Sequence, residues 1–337
     1  MRGIERVWYG DALSARVGRA LLTPFEFGYR AAMASRNRLY DARLLAVHAP
    51  SVPAISVGNL SVGGTGKTPV AAFIVTRLRE LGARPAIVLR GYGDDETQVH
   101  ARLNPGVVVV VDPDRVQAGI RARNLGCDVL VMDDAFQHRR AGRTVDLVLV
   151  SAERFVDHPR LLPAGPWREG WSSLQRASLV LVTRKSATPE RARLVAERIS
   201  TWSEGPVGIA ALQATRLVGA FDANDVEMGA LSGKRVLVVT GIADPDAFAS
   251  QLRAVDWDVD LRGYRDHYPF AARDVEEIVS TARTYDAVVC TLKDAVKLTP
   301  QWPRSAPPLW YVSQRVVPEW GAEHLDAAIE RVLNARP

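Results

Sequence analysis

The sequence predicts an α/β protein: a mostly parallel sheet flanked by helices, followed by a second, smaller α/β domain. Three observations carry this reading. From Val52 onward, short apolar runs alternate with helical patterns, and strands buried on both faces with helices between them build parallel sheets. A composition break at Ser203–Pro206 opens a less regular stretch, and a second strand–helix series begins after Gly233. The first strand also runs through a glycine-rich turn into a helix, an arrangement that points backbone N–H groups at an anion.

In chain order, residues 1–50 come first. Ile4, Trp8, Leu13, Val17 and Leu21 recur at helical spacing; Pro24 interrupts, and Phe25, Tyr29, Met33, Tyr40 and Leu44 form a second series. The spacing predicts two helices. The segment holds eight arginines and four acids, a net +4 out of the chain's +5, so the basic character belongs to one end. A basic, apolar pair of helices suits either packing on the core or lying on an anionic membrane surface. Without a nucleic-acid motif or a further basic cluster, lipid is preferred over nucleic acid. No apolar run is long enough to span a bilayer, and no signal peptide is read at the start.

Strands are expected at Ile55–Val57, Ala86–Leu89, Val107–Val111, Val129–Met132, Leu147–Val150 and Leu179–Val182, with helices at Pro69–Leu81 and Arg115–Leu125. The second series reads as strand Arg235–Thr240, helix Pro245–Val255, strand Val288–Thr291 and a terminal helix near Glu323–Leu333. The expected organisation is therefore 1–50 as membrane-associating helices of the first domain, 51–225 as a nucleotide domain, and 226–337 as a smaller domain closing over the nucleotide site. Cys127 and Cys290 lie far apart in strand-like runs and read as buried thiols of a reducing compartment, with no disulfide or metal spacing.

The strongest chemistry lies in Ser61-Val-Gly-Gly-Thr-Gly-Lys-Thr68, between a strand and a helix. This is the P-loop context. Ser61, Gly63, Gly64, Thr65 and Gly66 would wrap the phosphates with backbone N–H groups. Lys67 would place a charge on the β- and γ-phosphates, and Thr68 would give its hydroxyl to Mg²⁺. Ser61 stands where the motif has its first glycine, so Gly63 and Gly64 are expected to carry the turn. A second strand, Val129–Met132, ends in Asp133-Asp134, acids placed as such sheets place them to reach Mg²⁺. The fold is thus expected to be P-loop NTPase-like, with ATP and Mg²⁺ as cofactors.

Six segments together resemble the lipid A 4′-kinase (tetraacyldisaccharide 4′-kinase) family. They are Ser56–Pro69, Leu89–Gly93, Asp133–His138, Leu162–Glu169, Asp266–Tyr268 and Thr291–Asp294, in the family's order. The resemblance implies an enzyme lying on the cytoplasmic face of a bacterial inner membrane without spanning it. It would transfer the γ-phosphate of ATP to the 4′-hydroxyl of a tetraacyldisaccharide 1-phosphate, with no obligate protein partner. Glu169, in a loop after two prolines and a glycine, is read as a metal-side or positioning residue beside Thr68, Asp133 and Asp134, while Arg90, Arg115 and Arg168, with Tyr92, are offered to the substrate's 1-phosphate or the ATP phosphates.

The chain departs from the family pattern after Gly93, which runs straight into Asp94-Asp95-Glu96 where most members carry a longer insert. Alignment favours Asp95 over Asp94 as the matching acid. The resemblance places Asp95 and His267 at the catalytic centre, and a histidine titrating near neutral pH is a better base than a carboxylate committed to a metal. Asp95 is expected to orient His267 across a cleft between domains, with Asp266 as the other possible partner. His138 is read as a brace for the Asp133–Asp134 loop or a substrate contact, and Trp167 as a lipid contact or core. Thr291-Leu-Lys-Asp294 looks like a guanine-reading motif but lies in the second domain, so GTP is not inferred. Two rival readings remain: a membrane-associated ATPase switch, and a P-loop kinase or ligase for another small molecule.

Overall fold

The computed structural model describes residues 4–91, 95–222, 224–242 and 245–336. In chain order the elements begin with α1 (Ile4–Tyr9), α2 (Leu13–Asp41), β1 (Ala54–Asn59), α3 (Lys67–Glu80), β2 (Pro85–Leu89), α4 (Asp95–Leu103) and β3 (Val108–Val111). There follow α5 (Arg115–Asn124), β4 (Val129–Asp133), β5 (Val145–Ser151), β6 (Leu179–Arg184), α6 (Pro189–Ser200), β7 (Val207–Gly219) and β8 (Asp225–Glu227). The remainder is β9 (Arg235–Thr240), α7 (Pro245–Arg253), β10 (Asp258–Gly263), α8 (Ala272–Ala282), β11 (Ala287–Thr291), α9 (Leu292–Leu298), β12 (Leu309–Trp320) and α10 (Ala322–Asn334).

The chain divides into two compact units. One comprises Met1–Tyr92, Leu103–Ala211 and Val316–Pro337; the other comprises Gly93–Arg102 and Leu212–Arg315. Sequence analysis drew a single cut at 225/226. In the structure the chain enters the second unit for α4, returns, and comes back to the first unit for α10.

In the first unit the parallel strands run in the order β7-β6-β5-β1-β4-β2-β3. The chain moves outward from β1, returns at β4 on one side of it, and continues as β5 on the other. The carboxyl end of β1 is therefore the switch point where open α/β sheets bind ligands. Every residue of β1, β2 and β4 is buried, as a sheet covered on both faces requires. One core packs Val148, Val150, Val180 and Val182 with Val195 and Ile199 of α6; another packs Ala86, Val88, Leu130 and Met132 with Ala118 and Ala122 of α5.

Two N-terminal helices were expected to part at Pro24. Instead α2 runs through Pro24 as one 29-residue helix. The proline removes one N–H donor, and the helix survives because it is fastened along its length. Buried Glu26 accepts the Leu161 N–H at 2.9 Å, Arg36 donates to the Gln137 carbonyl at 2.7 Å, and Asn37 donates to Glu169 at 2.8 Å. Leu13, Val17, Leu21 and Phe25, four residues apart, are exposed, as is Phe27. No helix among the described residues is long and apolar enough to cross a membrane.

In the second unit the parallel strands run β10-β9-β11-β12, and β8 pairs antiparallel with the end of β7. One face packs Val275 and Ile278 of α8 with Leu237, Val239, Val288 and Cys290; the other packs Phe248 and Leu252 of α7 with Val236, Val238 and Val289. Arg102 of α4 donates to the Ala220 carbonyl at 3.0 Å, which holds α4 in this unit. Both cysteines are buried and free.

Candidate active site

The phosphate loop starts where β1 ends. Gly58 is required there: a Cβ on it would lie 2.5 Å from the Phe136 Cβ and 2.9 Å from the Phe136 nitrogen, distances that no side chain tolerates. This contact fixes how closely β1 approaches the loop after Asp133 and Asp134. In the phosphate loop, φ is positive at Gly63 (116°) and Gly66 (87°). The second turn glycine is thus Gly66 rather than Gly64, and Ser61 sits where no left-handed backbone is needed.

Neighbours hold this loop. Asn59 donates to the Thr65 hydroxyl at 2.9 Å, Thr183 donates to the Thr65 carbonyl at 2.9 Å, and Lys185 donates to the Gly64 carbonyl at 3.2 Å. Val62 N–H donates to the Pro166 carbonyl at 2.7 Å. Gly66 is the N-cap of α3, which opens with Lys67 and Thr68, so the N–H groups of the first turn and the positive end of the helix dipole converge on one place.

Val57 of β1 pairs in register with Asp133 of β4, so the two acids lie beside the phosphate loop. Asp133 is buried. Asp134 takes φ of 51°, a conformation that aspartate tolerates better than most residues. Its carboxylate meets Lys67 Nζ at 3.6 Å and Arg168 Nη1 at 2.9 Å. Burial would raise the Asp134 pKa, but the charges of Lys67 and Arg168 hold it below the usual value. The structure therefore brings Lys67, Asp134 and Arg168 together. Arg168 is placed by its own backbone N–H, which donates to the Leu60 carbonyl at 2.7 Å.

Other expected residues lie differently. Arg115 is 2% exposed and donates to the carbonyls of Asp112 and Asp133; it braces the end of β4 instead of facing a substrate. Glu169 is equally buried, and its Oε2 accepts from Asn37, Ser173 and Arg176, so that oxygen is committed to structure. Arg90 is exposed just after β2. Tyr92 and Asp94 lie outside the described residues. Trp167 is buried edge-on against Trp171, centroids 4.5 Å apart, a core contact and not a lipid one. His138 is pushed down to about 4 by burial and by the charges of Arg115 and Arg143, so it is neutral at working pH and sits in the turn it was expected to brace.

Sequence reasoning missed the rest of that brace. Arg143 donates to the carbonyls of Phe136, His138 and Ala141 and is paired with Asp146. Gln137 donates to the Asn59 carbonyl at 2.8 Å. Nothing local distinguishes such residues in sequence.

The second unit carries its own cluster. Asp95, the first residue of α4, is buried, and its Oδ2 lies 3.4 Å from His267 Nδ1. Both belong to one unit, since α4 does, so the pair does not reach across domains. Asp266, the alternative partner, accepts the backbone N–H of His267 and not its ring. His267 has φ of 54°, and its N–H also reaches the Gly241 carbonyl at 3.0 Å. The hydrogen bond from His267, with the nearby charge of Lys297, lowers the Asp95 pKa to about 2 against the cost of burial. The same hydrogen bond raises the His267 pKa. With Asp95 ionised, Nδ1 carries a proton and Nε2 is left as the acceptor.

The family described as tetraacyldisaccharide-1-P 4′-kinase matches residues 18–334. A tetraacyldisaccharide 4′-kinase of Anaeromyxobacter sp. strain Fw109-5 is 35% identical over 99% of this chain and 97% of its own length. One from Geobacter metallireducens is 33% identical over 94% of this chain and 99% of its own. Among solved structures, LpxK from Aquifex aeolicus in complex with ATP superposes with a TM-score of 0.74, at 26% identity, covering 93% of this chain and 99% of that one.

Proposed function

The chain belongs to the tetraacyldisaccharide-1-P 4′-kinase family, and from that premise we propose that it transfers the γ-phosphate of ATP to the 4′-hydroxyl of a tetraacyldisaccharide 1-phosphate in lipid A biosynthesis. The observation that carries this reading is the cluster of Lys67, Asp134 and Arg168 beside a glycine loop at a helix start. Phosphoryl transfer asks for positioning and charge neutralisation more than covalent help, and this cluster supplies both. ATP fits: the loop offers backbone N–H groups, and Lys67 and Arg168 offer two cations for the phosphates.

Mg²⁺ also fits the donor set, since it takes hard oxygen ligands and the groups at this place are the Thr68 hydroxyl and the Asp133 and Asp134 carboxylates. Bound there, the ion would neutralise charge on the phosphate oxygens. Asp134 would exchange its contact with Lys67 for that role, freeing the ammonium for the γ-phosphate. The Asp95–His267 pair of the second unit is the candidate base, with Nε2 able to accept a hydroxyl proton. The 4′-oxygen bonds to the γ-phosphorus as the bond to the β-phosphate oxygen breaks and ADP leaves. Asp95 holds the imidazole tautomer and stabilises the imidazolium.

Membrane association is part of the proposal. The exposed row Leu13, Val17, Leu21 and Phe25 on a basic helix suits the interface of an anionic leaflet, with the chain lying peripherally on the cytoplasmic side of the inner membrane. The test is acceptor dependence. With purified protein in detergent, labelled γ-phosphate should appear in the disaccharide lipid, and ATP consumption without acceptor should be a small fraction of that rate. Acceptor-independent hydrolysis at the same rate would favour the ATPase-switch reading instead.

A further inference from the structure

The Thr291–Asp294 motif has no part in the reaction so far, yet it adjoins the Asp95–His267 pair. Asp294 is fully buried. It accepts the Thr240 hydroxyl at 2.8 Å, the Thr291 hydroxyl at 2.7 Å and the Gly241 N–H at 3.1 Å. These bonds tie the start of α9 to the end of β9. Gly241 in turn accepts the His267 N–H, so Asp294 fixes the backbone that presents the imidazole.

One turn along α9 stands Lys297. Its ammonium lies 3.6 Å from Asp95 Oδ2 and 3.8 Å from Asp294 Oδ1, and 5.8 Å from the centre of the buried Phe270 ring. Its side chain is 14% exposed. A lysine held on three sides by two carboxylates and a ring face is not a solvated surface charge. Asp95 Oδ2 is thus shared by His267 and Lys297.

We propose that Lys297, fixed by Asp294, is a positioning residue for the transfer: it orients the Asp95 carboxylate toward His267 and offsets part of its negative charge. This rests on the reading of Asp95 and His267 as the base unit. The offset matters because an uncompensated carboxylate would hold the proton on the imidazole, and a protonated imidazole accepts nothing. The groups facing His267 are Asp95 from α4, Asp266 on its own loop and Lys293 from α9; Asp95 faces Lys293 and Lys297, and Asp294 lies behind.

The sign follows. Removing the Lys297 charge makes Asp95 a stronger acceptor and raises the pH at which His267 loses its proton. The acid limb of the kcat/KM profile should therefore move to higher pH in Lys297→Met, by ~0.5–1 unit for loss of a charge at this distance. kcat should fall by about 10- to 100-fold, the scale on which misplacing a catalytic group is felt, with little change in KM for ATP. Lys297→Arg, which keeps the charge, should restore the limb and most of kcat. NMR titration of His267 in the full chain reads the same shift without turnover and shows that each variant is folded. An unmoved His267 titration and an unmoved acid limb in folded Lys297→Met would overturn the proposal, and so would an equal kcat loss in Lys297→Arg. Wild-type kcat in His267→Ala would instead defeat the base-unit reading itself, whatever Lys297 does.

Discussion

Replacing Gly58 by alanine tests how the site is set. The added Cβ would meet the Phe136 Cβ at 2.5 Å and its nitrogen at 2.9 Å, about 1 Å inside ordinary contact. Phe136 is fully buried beneath the Arg176 guanidinium and belongs to the turn that carries Asp133 and Asp134, so it has nowhere to retreat except with that turn. Overpacking of this kind costs about 1–3 kcal/mol, and a displacement near 1 Å at a reacting group costs up to about 100-fold in rate. Gly58→Ala should therefore lose stability in denaturant unfolding and lose kcat by a larger factor than KM for ATP changes. Gly170→Ala, where a Cβ meets nothing within 4 Å, is the control. Wild-type stability and turnover in Gly58→Ala would refute the argument that this contact fixes the acid loop against the phosphate loop.

Losses in Asp95→Ala and His267→Ala should not add: the double variant should be about as slow as the worse single one, as for residues that act as a unit, and multiplied losses would show independence. Because Asp95 raises the His267 pKa, the acid limb of kcat/KM should sit above the ordinary histidine value of ~6.5 and fall back toward it in Asp95→Asn. The same linkage makes the pair's contribution to stability largest between the unfolded pKa values of ~3.9 and ~6.5. Asp95's share, from a lowered pKa, is lost as pH falls toward about 2; His267's share, from a raised one, is lost as pH rises through its folded value. Sedimentation with anionic vesicles should recover the wild type in the pellet at low salt and less of it at high salt, while Leu21→Asp with Phe25→Asp should leave it in the supernatant; equal recovery would reject α2 as the membrane face.

The elements that sequence exposed were those with a strong local signature. β1, β2 and β4 are unbroken apolar runs because both faces of that sheet are covered, and the glycine loop is visible because its backbone cannot be made from other residues. β7 escaped notice because glycine and two alanines, weak strand formers, interrupt Val207, Ile209 and Leu212 in its buried half; a Cβ on Gly208 would lie 3.2 Å from the Trp320 and Gly321 carbonyls, a tight fit. β10 escaped because charged residues alternate along it and only Val259 is buried. The course of α4 was illegible for another reason: its nine residues say nothing about which unit they join, and that is decided by Asp95, Arg102 and their partners far along the chain. The chemical groups of the site were readable from motif. Their supports, Arg143 under the acid turn and Asn37 on Glu169, are polar residues in unremarkable segments, and only tertiary contact gives them a role.

ATP-dependent phosphorylation of a disaccharide lipid at the 4′ position can be read by ³¹P NMR of the product made by purified protein from ATP, Mg²⁺ and a tetraacyldisaccharide 1-phosphate, alongside Lys67→Ala of confirmed fold. A second phosphomonoester on the 4′ carbon, formed with wild type and slowed at least ~100-fold in Lys67→Ala, is the predicted result. An unmodified lipid after ATP is consumed, or undiminished product with Lys67→Ala, would contradict it.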